Sequence, residues 1–338
     1  MAEVSVAVLG LGRIGASICL ALKRYNARPG SANKFNVTAY APAAARVKYA
    51  KDNALADRTA QYASDAVRGA DIVVMALPLG ETEGAYNLIG QDVRSGAVVL
   101  DFSTVKREAN AYAQKTLNPE AHFIGVTPIV NPRYLFDALD EPEFAAEDLF
   151  DHAPTFIMAG TKAPAAALDL GADFAAVLGA QPQFTDIAEN DVLMAISETF
   201  PKVVGAMVYV LLSRTRGWDD SQRMTNAAFG TTTNVFMNQH PDDLTAEVLH
   251  NKDTLVRYLD EFSGALRSMR DLIAEGDRDG VTETFGRASA EYERWINRRN
   301  NNRWDDDRAI VAPEAPGIMT TLFGGYMASR LRGKKDGK

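Results

Sequence analysis

The sequence contains a single cysteine, Cys19, among 338 residues. One thiol excludes an internal disulfide and cannot complete the zinc or redox spacings that need several cysteines, so we predict no metal site and a cytoplasmic location. Basic residues are also in the minority, because 36 lysines and arginines face 44 aspartates and glutamates, which gives a net charge of −8. This balance argues against a nucleic-acid partner, whose binding surface would be basic.

Long apolar runs are missing as well. No run of about 18 consecutive apolar residues is present, so we predict no membrane-spanning segment. The N-terminal stretch MAEVSVAVLG has no cationic region and leads directly into a glycine-rich pattern, which is not typical of a signal peptide. With 46% hydrophobic and 24% charged residues, the composition is that of a globular protein, and the length predicts two domains.

The first half of the chain alternates apolar runs with helical patterns. Strands are predicted over residues 4–10, 35–40, 71–78, 97–103, 122–128, 155–160 and 182–186, and helices over 14–25, 43–53, 106–117 and 164–179. Strands separated by helices of this length pair in parallel through right-handed crossovers. We therefore predict an α/β fold, in which residues 1–186 form a Rossmann-type dinucleotide-binding domain with a doubly wound parallel sheet.

After residue 186 the strand pattern stops, and an all-α C-terminal domain is predicted. The stretch 189–215 is mostly apolar, and Pro201 either kinks one helix or begins a second one. Further on, apolar residues recur at spacings of four and three: Leu255, Leu259, Phe262, Leu266, Met269 and Ile273. Such a seam fits a helix inside a bundle or a dimer interface. We predict a helical substrate and dimerisation domain over 187–330, a homodimer through it, and a flexible tail over 331–338.

Three glycines form a G-x-G-x-x-G pattern directly after the first predicted strand. The first allows a tight turn, the second lets the backbone approach a pyrophosphate, and the third lets the helix pack closely on the strand. Further contacts are expected where the third and fourth strands end. The predicted cofactor contacts are therefore Gly10, Leu11, Gly12, Arg13, Ile14 and Gly15, with Leu77, Pro78 and Ser103 from the later strands.

The end of the second predicted strand bears on which dinucleotide binds. An NAD site usually has an acid there for the ribose hydroxyls, whereas this chain has Tyr40 and Ala41, followed by Arg46 and Lys48. Without the acid a 2′-phosphate is not repelled, and an arginine can pair with it. We predict NADP rather than NAD, with Tyr40, Ala41 and Arg46 as contacts. The alternative is that Arg46 and Lys48 only solvate a helix face.

Taken together, these elements resemble the prephenate and arogenate dehydrogenase family. The resemblance covers most of the first 215 residues and rests on three motifs: GLGRIGASICLAL, DFSTVK (101–106) against a D-x-x-S-V-K-like element, and HFIGVTPIVNP (122–132) against a G-G-H-P-like strand end. LFDHAPTFIMAGTK and AISETFPKVVGAMV support it. The resemblance implies a Rossmann domain with a helical dimerisation domain, and an NAD(P)-dependent oxidoreductase of tyrosine biosynthesis.

Three polar anchors that the resemblance implies are missing. The family histidine that accepts the substrate proton falls at Thr127, a second one falls at Glu198 or Thr199, and the substrate-binding arginines are absent from 228–234. A site built around charged partners loses transition-state binding without them. We therefore predict hydride transfer involving a small anionic substrate that need not be prephenate. The alternatives are a genuine prephenate or arogenate dehydrogenase, and a non-catalytic NAD(P)-binding sensor or scaffold.

Lys202 is the candidate to replace the missing histidine. It follows Pro201 in an apolar run, where a charge is unfavourable unless it faces a cleft or a partner, and burial lowers the pKa of a lysine toward neutrality. Glu198 lies four residues earlier, so the two could pair on a continuous helix. The predicted catalytic residues are Lys202, Glu198, Thr127 and Thr104. Further candidates are His152 as a catalytic group and Arg133, Arg214 and Arg216 as contacts for an anionic substrate.

Overall fold

A computed structural model describes residues 2–137 and 139–304, and its first part contains one eight-stranded sheet. The strands are β1 (Ala2–Leu9), β2 (Asn33–Tyr40), β3 (Arg58–Thr59), β4 (Ile72–Met75), β5 (Val98–Asp101), β6 (His122–Pro128), β7 (Pro154–Ala159) and β8 (Gln181–Phe184). Their order in the sheet is β3-β2-β1-β4-β5-β6-β7-β8. The order reverses beside β1, so the crevice between the carboxyl ends of β1 and β4 is the position where such sheets bind ligands.

Helices cover both faces of the sheet. They are α1 (Arg13–Asn26), α2 (Ala44–Asp52), α3 (Ala63–Val67), α4 (Leu79–Ile89), α5 (Lys106–Thr116) and α6 (Ala165–Val177). On β1, Val6 and Val8 pack into the apolar core on one face, while Ala7 and Leu9 pack into the core on the other. Burial on both faces explains why this strand is a continuous apolar run rather than an alternating one.

The direction of β7 differs from the prediction of a fully parallel sheet. β7 runs antiparallel to β6, with Thr127 opposite Phe156, and β8 runs parallel to β7. Among its described residues, the connection over 129–153 contains two short 3₁₀ turns, Pro132–Tyr134 and Pro142–Phe144, and no crossover helix of the kind that parallel pairing needs. This connection therefore begins and ends at the carboxyl edge of β1–β6, beside the crevice.

The seven predicted strands are confirmed, and three elements, β3, α3 and α4, were missed. β3 has two residues and α3 has five, too few for a periodic pattern. α4 contains two glycines, which lower helix propensity, but it buries Leu79, Tyr86 and Ile89. Burial of these side chains stabilises a helix that the local sequence does not favour.

Helices follow the sheet directly, as predicted. They are α7 (Ile187–Met194), α8 (Phe200–Ser213), α9 (Trp218–Ser221), α10 (Ala227–Thr233), α11 (Val235–Asn238) and α12 (Pro241–His250). A π-helical turn, Ala195–Thr199, joins α7 to α8, so Pro201 lies in the first turn of α8. A proline is accepted in a first turn, and the π turn absorbs the irregularity that was predicted as a kink or a new helix.

The continuous helix Ile187–Ser213 qualifies the prediction that no segment spans a membrane. Its 27 residues are long and apolar enough for a membrane span by length and composition, and only 22% of its most apolar 18-residue window is buried. Exposed apolar side chains include Leu193, Met207 and Leu211. Exposed apolar surface of this kind is typical of an interaction surface.

The chain separates into two compact units between Lys252 and Asp253. The described part of the second unit consists mainly of α13 (Lys252–Glu275) and α14 (Arg278–Asn301). In the predicted seam on α13, Leu255 is 2% exposed, but Leu266 and Ile273 are 53% and 64% exposed. The strand-to-helix change lies between Phe184 and Ile187, and the domain bounds 1–186 and 187–330 remain a prediction; the predicted tail, 331–338, lies outside the described residues.

Candidate active site

The glycine turn connects β1 to α1 at the carboxyl edge of the sheet. Gly10 has a φ of +99°, and a Cβ atom there would lie 2.1 Å from the carbonyl oxygen of Ala76. A Cβ on Gly15 would lie 1.9 Å from the carbonyl oxygen of Gly10. The Gly10 N–H donates to the carbonyl of Tyr40, which joins the turn to the end of β2. The first and third glycines are therefore required by backbone conformation and close packing.

Further predicted cofactor contacts lie beside the glycine turn and differ in burial. Leu11 is fully buried in the core, so it offers only backbone atoms to a ligand, whereas Ile14 packs against the core and is partly exposed. Ala41, directly after β2, is also buried.

A carboxylate lies against the second glycine. Gly12 caps α1 without a side-chain hydrogen bond, and a Cβ atom on it would lie 2.9 Å from Oδ2 of Asp140. The backbone N–H of Arg13 donates to Asp140 Oδ1 at 3.1 Å. Burial raises the pKa of the Asp140 carboxyl above its ordinary value. The N-terminus of α1 therefore already binds an acidic group of the same chain.

Both arginines predicted to bind the cofactor contact residues near Asp140. The Nε atom of Arg13 donates to the carbonyl of Phe144 at 3.1 Å, and Nη1 donates to the carbonyl of Asp137. Nη2 of Arg46 donates to the carbonyl of Asp140 at 3.2 Å and lies 3.3 Å from Oε2 of Glu141. Arg46 therefore does more than solvate a helix face.

Lys48, the second basic residue of α2, behaves differently. Its side chain is 78% exposed and pairs with Asp52 one helical turn later. The alternative hypothesis, that these basic residues only solvate a helix face, therefore fits Lys48 but not Arg46.

The cofactor contacts predicted after β4 and β5 lie at the same edge of the sheet. Leu77 is buried, and Pro78 caps α4, where its carbonyl accepts a hydrogen bond from Thr82 Oγ1 at 3.0 Å. Ser103 is also buried, and its hydroxyl donates to the Asp101 carboxylate. The Ser103 hydroxyl therefore has a partner within the protein.

A buried ionic network below this edge was missed by sequence reasoning. The Lys106 side chain is fully buried; Nζ donates to the carbonyls of Asp101, at 2.9 Å, and of Ser103. The hydroxyl of Tyr86 donates to Asp101 Oδ2 at 2.9 Å. Burial lowers the pKa of Lys106 to about 8, against the partial opposing effect of Asp101. A lysine ending the motif DFSTVK was the available signal.

Asp191 connects α7 to the start of α5. Its carboxylate, which is fully buried, accepts hydrogen bonds from the backbone N–H groups of Lys106, at 2.7 Å, and Arg107, at 3.0 Å. It therefore caps α5 from another element. Because the cap is distant in sequence, no local pattern could have identified it.

A polar cluster forms where α8 and α12 approach the end of β5. Oε2 of Glu247 accepts from Lys202 Nζ at 3.1 Å. Its Oε1 accepts from Thr104 Oγ1 at 3.1 Å and from Gln239 Nε2 at 2.7 Å. The Glu247 side chain is 5% exposed and that of Lys202 is 27% exposed. The structure thus brings together two predicted catalytic residues, Lys202 and Thr104, around a glutamate that the sequence analysis missed.

The other two predicted catalytic residues are placed differently. Glu198 lies in the π turn and is exposed, and a contact of Lys202 with Glu247 was not predicted. Thr127 is 5% exposed at the end of β6, and its hydroxyl has no hydrogen-bond partner among the described residues. It lies on the same sheet face as Gly125, where a Cβ atom would lie 3.1 Å from Cδ of Lys106.

The further candidates do not join this cluster. His152 has a φ of +62°, and its N–H donates to the carbonyl of Gly179. Arg133 pairs with Asp148 at 2.7 Å. Arg214 and Arg216 are exposed at and after the end of α8.

Comparison with known proteins identifies the family of the sheet domain. Residues 26–183 match the family model described as prephenate dehydrogenase, nucleotide-binding domain. This domain belongs to the prephenate dehydrogenase family. The match begins after the glycine turn, so the predicted phosphate-binding role of the turn rests on its own sequence and geometry.

Relatives of the family align over most of the chain. A cyclohexadienyl dehydrogenase of Zymomonas mobilis is 23% identical over 83% of this chain and 92% of its own. A prephenate dehydrogenase of Bacillus subtilis is 22% identical over 97% of this chain and 86% of its own. The structure of A. aeolicus prephenate dehydrogenase in complex with hydroxyphenyl propionate and NAD+ has a TM-score of 0.72 at 16% identity, covering 87% of this chain and 99% of that one. The predicted family and fold class are confirmed.

Proposed function

We propose that the protein is a nicotinamide-dependent oxidoreductase that transfers hydride between the dinucleotide and a small anionic substrate. The observation that carries the proposal is the position of two groups at one edge of the sheet. The glycine turn follows β1, and the cluster of Lys202, Glu247 and Thr104 surrounds the end of β5. β1, β4 and β5 run parallel, so both groups lie where open α/β sheets bind ligands.

The turn fits a dinucleotide. Gly10 and Gly15 permit the tight strand-to-helix turn, and the N-terminus of α1 presents backbone N–H groups to an anion. A phosphate approaching Gly12 would replace the carboxylate of Asp140. When bound, the nicotinamide supplies or accepts the hydride. The protein has to bind and orient the cofactor and the substrate, and to exchange a proton with the substrate.

Lys202 is our candidate for proton exchange with the substrate oxygen. As an ammonium group it can donate a proton to the oxygen of a carbonyl that is being reduced, and its neutral form can accept one from a hydroxyl that is being oxidised. Glu247 positions Lys202 through Oε2 and the Thr104 hydroxyl through Oε1. We propose that Thr104 binds the substrate oxygen, and that Thr127, whose buried hydroxyl lies where the family has its histidine, contacts the substrate or the nicotinamide carboxamide.

The first test is a binding and turnover experiment. The purified protein is titrated with NADPH and NADH while nicotinamide fluorescence is recorded, and then prephenate, arogenate and a panel of small hydroxy and carbonyl acids are supplied with the matching cofactor. We expect binding, no turnover of prephenate or arogenate, and turnover of a panel member. Binding with no turnover of anything in the panel would support a sensor or scaffold instead.

A genuine prephenate or arogenate dehydrogenase is the second candidate. The names of the relatives that align over 83% and 97% of this chain favour it. Thr127, in place of the family histidine, weakens it, because an unassisted threonine hydroxyl is a poor proton acceptor. Formation of NADH or NADPH with either substrate would establish this second candidate.

Our proposed cofactor is NADP rather than NAD. Ala41 leaves the end of β2 without an acid, and Arg46 donates a hydrogen bond to the carbonyl of Asp140, which lies against the glycine turn. Two observations weigh on the other side: Glu141 pairs with Arg46, and the A. aeolicus relative was solved with NAD+. Dissociation constants of NADPH and NADH measured side by side decide between them; we expect NADPH to bind more tightly.

We also propose a homodimer through the helical part of a cytoplasmic protein. The mostly exposed apolar helix Ile187–Ser213 and the exposed Leu266 and Ile273 on α13 support it. Light scattering coupled to size exclusion should give twice the mass of the chain without detergent. A mass that is correct only in detergent, with flotation on lipid vesicles, would show that the apolar helix binds membranes.

A further inference from the structure

We propose that residues 139–148, here called the covering segment, occupy the phosphate position of the glycine turn in the free protein and are displaced when the dinucleotide binds. Asp140 acts in this proposal as an internal substitute for a phosphate group. The inference rests on the proposed cofactor and adds how access to its site is controlled.

Asp140 makes the contacts that a pyrophosphate would make. Its Oδ1 accepts the N–H of Arg13 at 3.1 Å, and Oδ2 lies 2.9 Å from where a Cβ atom on Gly12 would be. In glycine-rich turns the second glycine and the first amides of the helix receive the phosphates. A carboxylate shares the negative charge and acceptor oxygens of a phosphate, so both favour the positive end of α1. The two groups cannot occupy this position together.

The covering segment is held along α1 and α2 by polar contacts. The carbonyl of Phe144 accepts from Arg13 Nε at 3.1 Å, and the N–H of Ala146 donates to Ser17 Oγ at 3.0 Å. Glu141 pairs with Arg46 at 3.3 Å. Displacement of the segment would therefore expose the turn and release Arg46 in one movement. While the segment is in place, Glu141 competes directly with a 2′-phosphate for the Arg46 guanidinium.

The covering segment is less buried than the residues that follow it. Within the covering segment, Glu141, Glu143 and Phe144 are exposed, and Pro142 is buried. Leu149 and Phe150, which follow the segment, are fully buried in the core. A stretch with few buried apolar side chains opens at low free energy, while the core residues hold its far end. Burial of the Asp140 carboxylate, which raises its pKa, further reduces the stability of the closed arrangement.

The matched test compares Asp140→Asn with Glu143→Gln. Both variants remove one negative charge from the covering segment, but only Asp140 contacts the turn. Dissociation constants are measured for NADPH, NADH and inorganic pyrophosphate. We expect Asp140→Asn to bind all three about 5- to 20-fold more tightly, because the competing charge is lost, and Glu143→Gln to bind as the parent does. Glu141→Gln should tighten NADPH more than NADH.

Hydrogen exchange tests the displacement itself. The Ala146 amide and its neighbours should exchange faster when saturating NADH or NADPH is present, although ligands ordinarily slow exchange. Equal dissociation constants for the parent and Asp140→Asn, or slower exchange over 139–148 on binding, would overturn the inference and leave the cofactor proposal intact. Failure of the parent and all variants to bind either dinucleotide would overturn the cofactor proposal and the inference together.

Discussion

Lys202 and Glu247 form an ion pair of 3.1 Å between two helices, although 45 residues separate them in sequence. The same glutamate accepts a hydrogen bond from Thr104, which follows β5. One buried carboxylate thus holds two predicted catalytic groups at the edge of the sheet where ligands bind.

Replacement of Lys202 tests its role in proton exchange. We expect Lys202→Met to lower kcat by about 100-fold or more with the substrate that the panel identifies, because general acid–base groups contribute at least that factor. Dinucleotide affinity should not change, since the glycine turn is intact. Lys48→Met is the control, because Lys48 is exposed and pairs only with Asp52. Steady-state rates equal to those of the parent would show that Lys202 is not catalytic.

Loss of the Glu247 carboxylate should lower stability. Glu247→Ala leaves the Lys202 ammonium, which is 27% exposed, without this partner, and we expect a loss of about 1–3 kcal/mol after allowing for solvent screening. Glu247→Gln should lose less, because an amide oxygen can still accept a hydrogen bond. Urea unfolding measures both. Glu283→Gln, in the more exposed pair with Arg287, is the control and should change stability by less than about 0.5 kcal/mol; equal effects at the two sites would contradict the prediction.

The third glycine of the turn should not tolerate a methyl group. A Cβ on Gly15 would lie 1.9 Å from the Gly10 carbonyl oxygen, so Gly15→Ala must shift backbone and should destabilise by about 2–3 kcal/mol. Gly230 lies in α10 with open space around it, and Gly230→Ala should be neutral or stabilise by up to about 1 kcal/mol. The unfolding midpoints of the two variants are measured side by side. A Gly15→Ala protein as stable as the Gly230→Ala protein would contradict the close packing of Gly15 on the Gly10 carbonyl.

Lys106 should make stability depend on pH in the alkaline range. Its pKa is about 8 in the folded protein and about 10.5 when exposed, so between these values the unfolded chain binds more protons and stability rises with pH. The gain is absent below about pH 8, complete above about 10.5, and amounts to about 3 kcal/mol.

Lys106→Met removes this titrating group. The difference in unfolding free energy between parent and variant, measured from pH 7 to 11, should therefore shift in favour of the parent as the pH rises. A difference that does not change with pH would show that Lys106 titrates as an exposed lysine does.

Local features of the sequence were sufficient for much of the fold. The glycines of the turn are recognisable because tight turns and close packing depend on neighbouring residues, and apolar runs on both sides of helical patterns predict buried parallel strands. Lys202 was recognisable because a charge in an apolar run requires a partner. This signal does not specify which residue is the partner of Lys202.

Short-range periodicity and turn chemistry were enough to predict the Rossmann-type domain, the glycine turn and the change to helices near residue 186. The three-dimensional fold was needed for the antiparallel direction of β7, because side-chain periodicity carries no strand direction. It also decided the partners at long range: Glu247 beside Lys202, Asp191 on α5 and Asp140 on the glycine turn. Each of these acids pairs with a group far away in the chain, and no local pattern marks such contacts.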